Sequence, residues 1–77
     1  MNKKDRKIIE GAISKIEEAK GELEPITEAL EDRASNLEEK FEAKADALRD
    51  QATSIQDAID NAQQVIEELT TIMESEN

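Results

Sequence analysis

The sequence predicts an all-α fold of long, coiled-coil-like helices. Three observations lead there: an apolar ladder at helical spacing, a composition of strong helix formers, and no period-two alternation. The ladder runs Ile9, Ala12, Ile16, Ala19, Leu23, Ile26, Leu30, Ala34, Leu37, Phe41, Ala45, Leu48, Ala52, Ile55, Ile59, Ala62, Ile66, Leu69, Met73. Every step is three or four residues, so the apolar side chains share one side of a helix and the charges take the other. Low hydrophobicity with high net charge also marks disordered chains. A disordered chain, however, has no cause to keep such spacing from Ile9 to Met73.

The first helix is expected over 3–20. Asn2 suits its N-cap, and Asp5 sits three residues on, where a carboxylate favours the helix start. The strongest break lies at 21–25. Gly21 suits a position just past a helix end, and Pro25 the first turn of a new helix. The ladder nevertheless passes through, so a kink is the other outcome there. A long second helix is expected over 26–74, roughly 74 Å if unbroken. Further breaks are possible near 35, where Ser35 and Glu38 have capping-box spacing, and near 53, where Thr53 and Ser54 precede Asp57. Residues 75–77 read as a frayed tail. The whole of 1–77 is expected to be one helical domain, too short for two cores.

The ladder changes phase. Strict heptads run from Ile9 to Leu30 and again from Ala45, with an eleven-residue repeat from Leu23 to Ala45. Heptads impose a left-handed supercoil and an eleven-residue repeat relaxes it, so the middle is expected to run straighter. A stripe this narrow needs a partner. The continuous ladder and the small rungs Ala34, Ala45 and Ala52 favour a dimeric coiled coil: a short first helix, a break or kink, and a long second helix. The wider apolar stripes at the ends, with Ile8, Ile13, Ala58, Val65 and Ile72, favour the alternative, a compact three-helix bundle of 3–20, 26–50 and 54–74. In either case the expected helix–helix interface is Ile9, Ile16, Leu23, Ile26, Leu30, Leu37, Phe41, Leu48, Ile55, Ile59, Ile66 and Leu69.

Ten Lys and Arg stand against twenty Asp and Glu among 77 residues, a formal net charge of −10. The charge is uneven: residues 1–20 carry a net +2, while 21–50 and 51–77 carry −6 each. A basic head and an acidic tail favour antiparallel packing, with Lys7 near Glu67 or Glu68. Within the acidic middle, pairs such as Glu24–Glu28 and Glu38–Glu42 place like charges at i, i+4, each costing about 0.2–0.5 kcal/mol. The acidic side is therefore either a solvated surface or a face for a basic partner. Its candidate residues are Glu24, Glu28, Glu31, Glu38, Glu42, Asp46, Asp57, Asp60, Glu67 and Glu74.

The chain has no His and no Cys, and Phe41 is its one aromatic. Imidazole bases, thiolate nucleophiles, thiolate zinc sites and disulfides are excluded. Carboxylate chemistry needs a water-poor pocket, which a thin helical assembly hardly offers. No catalytic, cofactor-binding or metal-binding residue is expected, Asp57 and Asp60 reading as a solvated edge. The short basic run Lys3–Lys7 belongs to a chain that repels phosphate, so no direct nucleic-acid binding is expected. No apolar run approaches a membrane span or a signal peptide, so a soluble cytoplasmic protein is expected. The expected function is a non-enzymatic protein–protein interaction module, an acidic amphipathic coiled coil that dimerises, docks on a partner protein, or does both. The alternative is a small acidic nucleic-acid mimic, of the viral anti-restriction or anti-CRISPR type, blocking the positive groove of a nucleic-acid-binding protein.

Overall fold

A computed structural model describes residues 1–75. It holds two helices, α1 (Lys3–Leu37) and α2 (Glu42–Glu74), and no strand among the described residues. α1 starts where the sequence placed it. Asn2 is extended, and its side-chain oxygen accepts the Asp5 N–H at 2.8 Å. Residues 38–41 reverse the chain, and α2 packs back along α1. The longest dimension is 58 Å, close to the roughly 52 Å of a 35-residue helix. The molecule is thus one antiparallel hairpin, two helices wide.

The helix limits differ from the expected 3–20 and 26–74. α1 continues without a break through Gly21 and Pro25. Pro25 has no N–H for the Gly21 carbonyl, but both residues are exposed, and water can satisfy that oxygen. On the opposite side of the same turns Leu23 is half-buried and Thr27 buried, so packing holds the helix across its weakest stretch. Ser35 and Asn36 lie in the last turns of α1, and Thr53 and Ser54 lie inside α2. Neither the long second helix nor the three-helix bundle forms. Residues 76 and 77 of the expected frayed tail lie outside the described residues.

The buried and half-buried residues define the seam. On α1 they include Ile9, Ile13, Ile16, Lys20, Leu23, Thr27, Leu30, Ala34 and Leu37. On α2 they include Ala45, Leu48, Ala52, Ile55, Ile59, Ala62, Ile66, Leu69 and Met73. Within each set the steps alternate between three and four, so each arm is a plain heptad stripe. The phase slip falls across the turn. The eleven-residue spacing therefore records the joining of two heptad frames at a reversal, not a straight middle. Small Ala34, Ala45 and Ala52 form the seam next to the turn; larger Ile59, Ile66 and Met73 fill it toward the open end.

Two expected interface residues lie off this seam. Ile26 is 47% exposed and Phe41 52% exposed. The apolar ladder had passed through Ala12, Ala19 and Ile26, whereas the seam takes Ile13, Lys20 and Thr27, each one residue further on. One residue turns a helix by about 100°, enough to move a side chain out of contact. Phe41 sits at the reversal instead. Its backbone, at φ −136° and ψ 60°, leaves the helix and starts α2. The N–H groups of Lys40 and Phe41 both donate to the Leu37 carbonyl, at 3.2 and 2.8 Å. No described non-glycine residue has a positive φ, so the turn needs no glycine. The Lys44 ammonium lies 5.6 Å from the centre of the Phe41 ring, a contact of about 0.5–1 kcal/mol at an exposed site.

Candidate functional site

The heptad frame sorts the surface into faces. On α1 the seam residues are position a (Ile13, Lys20, Thr27, Ala34) and position d (Ile9, Ile16, Leu23, Leu30, Leu37). On α2, Ala45 and Ile59 are at a, and Leu48 and Ile55 at d. In an antiparallel pair the e positions of both helices border one face of the hairpin and the g positions border the other. The contacts agree. Glu38 and Arg49, both at e, form an ion pair at 3.3 Å. The Lys20 ammonium donates to the side-chain oxygen of Gln63, again at e. Across the molecule, Leu30, Gln51, Ser54 and Ile55 line a shallow groove on the g side.

The e face is acidic. Glu10, Glu17, Glu24 and Glu31 recur every seven residues down α1, and Glu38 at its C-cap continues the series, all exposed. The neighbouring b positions add Glu28 on α1 and Asp46, Asp60, Glu67 and Glu74 on α2, and Glu42 completes the set at e. The hairpin therefore gathers nine of the ten acidic candidates on one face. Asp57 falls outside it, at the outer edge of α2. Glu10 and Glu17 also belong to the face, although they lie in the basic head and outside the acidic middle; their heptad spacing from Glu24 is the sequence signal that places them there. Few cations answer this charge. Arg49 reaches Glu38 and also Asp46 at 3.6 Å, and Arg6 reaches Glu10 at 3.7 Å, all with well-exposed partners. Exposed pairs of this kind contribute at most about 1 kcal/mol each.

The g face is apolar. Its g and neighbouring c positions hold Ile8, Ala12, Ala19, Ile26 and Ala29 on α1 and Ala58, Val65 and Ile72 on α2. Ile8 is 62% exposed, Ile26 47%, Val65 42% and Ile72 48%. Six charged side chains border it. Asp5, Glu22 and Glu68 balance Lys15, Arg33 and Lys44, so this face is neutral in a molecule of net charge −10.

The concavities are shallow and open to solvent; one, of about 420 Å³, is bordered by Gln64, Glu67, Glu68, Thr71 and Ile72. Among the described residues no three acidic side chains converge as a metal site would require, and no helix is long and apolar enough to cross a membrane. Compared with protein-family models, curated proteins and solved structures, the chain gives no match.

At an a position of the seam, Lys20 donates across to Gln63 of α2. A polar side chain at an a position fixes register at a cost in stability. Replacing Lys20 by Leu is expected to raise the unfolding free energy by about 1 kcal/mol, read from the urea midpoint, because it exchanges a half-buried cation for apolar burial. A fall in the midpoint would mean that the Lys20–Gln63 contact outweighs that gain.

Proposed function

We propose that the protein is a non-enzymatic protein–protein interaction module whose working surface is the apolar g face of the hairpin. One observation carries this reading. After the hairpin has closed its own seam, four large aliphatic side chains remain 42–62% exposed on a single neutral face. Solitary exposed aliphatics are ordinary, but a contiguous stripe bordered by polar residues marks an association surface. An elongated hairpin presents such a stripe as amphipathic helices do when they dock into grooves or onto other helices. The open concavities and the lack of His and Cys give no support to catalysis.

The acidic face supports a second reading, a mimic that occupies a positive groove. Its e and b positions hold eleven acidic and three basic side chains, eight net charges along 58 Å. That is about one charge per 7 Å, against one per 1.7 Å along duplex DNA. The density is several-fold too low for close mimicry, so the apolar face is preferred.

The double substitution Ile26→Asp with Ile72→Asp separates the two readings. Capture experiments on immobilised protein in 0.5 M salt should retain whatever binds the apolar face, the chain itself included, and the double variant should lose it. Capture that disappears in salt yet ignores the two substitutions would transfer the function to the acidic face.

A further inference from the structure

Resting on the apolar-face reading, we infer that the occupant of this face is a second copy of the same hairpin, joined by a two-fold axis that crosses α1 at Ala19 and α2 at Val65. The face is self-complementary about that axis, as an isologous interface must be. Laying α1 antiparallel on its copy with Ala19 opposite Ala19 brings Ala12 opposite Ile26 and Ile8 near Ala29, a small residue against a large one each time. The same register brings Asp5 opposite Arg33 and Lys15 near Glu22, so opposite charges meet on the rim. α2 obeys the same axis. With Val65 opposite Val65, Ala58 meets Ile72. The two registers are independent in sequence yet fall at one level of the hairpin, because the Lys20–Gln63 bond sets the residues around 19 of α1 beside those around 64 of α2.

Charge and area point the same way. Two copies of a −10 chain repel wherever their acidic faces meet, and the g face is the broad side on which charges balance. From Asp5 to Arg33 the face is about 42 Å long at 1.5 Å per residue. With the 16 Å width of the molecule, its footprint is roughly 670 Å² per copy. The total of about 1,300 Å² reaches the lower range of specific interfaces, roughly 1,200–2,000 Å². The product is a four-helix bundle with two acidic outer faces.

Sedimentation equilibrium between 5 and 500 μM tests this. The wild-type chain should approach twice its 8.6 kDa mass. Ala19→Arg sets two like charges on the axis and should leave a monomer whose circular dichroism still shows the folded hairpin, since residue 19 is exposed there. Lys15→Glu and Glu22→Lys should each weaken the dimer roughly ten-fold, two rim pairs being lost per dimer. Combined, they should restore it. A wild-type monomer at every concentration overturns the proposal. So does a dimer indifferent to Ala19→Arg, or a charge swap that fails to rescue. None of these three results touches the broader reading, which fails separately if capture of other proteins ignores Ile26→Asp with Ile72→Asp.

Discussion

Replacing Ile66 by Ala is expected to lower the unfolding free energy by about 2–4 kcal/mol, and Ile66→Asp to abolish the folded hairpin at room temperature. Ile66 is 7% exposed, on the broad part of the seam between Ile59 and Met73. Truncating a buried isoleucine removes its transfer free energy and leaves a cavity, together about 2–5 kcal/mol. A hairpin has one layer of core, and domains of this size rarely hold more than about 3–5 kcal/mol in total. The alanine variant should therefore sit at the edge of stability, and a buried carboxylate should exceed it. Urea unfolding followed at 222 nm, at one fixed protein concentration, measures the change. A loss below about 1 kcal/mol for Ile66→Ala would mean that α2 does not close on α1 at this level. Gln64, two residues away on the outer surface, is the control, and Gln64→Ala should stay within about 0.5 kcal/mol.

The second large effect has the opposite sign. Pro25→Ala is expected to stabilise the hairpin by about 2–3 kcal/mol, because proline inside a helix is about 3 kcal/mol less favourable than alanine. α1 is helical on both sides of Pro25, and the residue is exposed, so alanine would restore a backbone hydrogen bond without disturbing the seam. Gly21→Ala should add about 0.5–1 kcal/mol; a Cβ at Gly21 would meet nothing within 4 Å. Thermal melts of both single variants and of the pair measure this. Were Pro25 the first residue of a separate helix, the substitution would be neutral or harmful, and the melting temperature would not rise.

Much of this fold was legible. Helical periodicity separated the chain from a disordered one, and Asn2 and Asp5 marked the first helix start. The charge layout asked for an antiparallel arrangement, and the hairpin supplies it within one chain. The reversal at 38–41 was hidden because Glu38, Glu39, Lys40 and Phe41 include no glycine, proline or capping asparagine. Its traces were the phase slip, which equally describes a relaxed supercoil, and the capping-box spacing of Ser35 and Glu38, which marks a break a few residues before the turn. Gly21 and Pro25 misled for the opposite reason: strong local signals yielded to the burial of Leu23 and Thr27 on the far side of the helix. Lys20 and Thr27 could not be recognised as seam residues from hydrophobicity, since each stands beside an apolar neighbour, Ala19 or Ile26. The same displacement explains the apolar face. Ile26 was read as core because it lies on the ladder, and folding turns it outward to join Val65 and Ile72. The acidic face was partly visible, but gathering its residues on one side required knowing which residues close the seam.

The most direct test of the hairpin is a pair of distances. The chain contains no cysteine, so spin labels can be placed cleanly at Gly11→Cys with Thr71→Cys, two exposed outward positions near the open end. Labelled protein diluted into excess unlabelled chain reports distances within one molecule by double electron–electron resonance. The hairpin requires a single short distance of roughly 20–30 Å for this pair, two helices and two label arms apart. A second sample, Gly11→Cys with Asp32→Cys, should give about 32 Å, the length of 21 residues of unbroken helix. A first distance beyond about 60 Å, as in an extended coil, would contradict the hairpin, and a second distance well under 25 Å would mean that the chain folds back at Gly21–Pro25 instead.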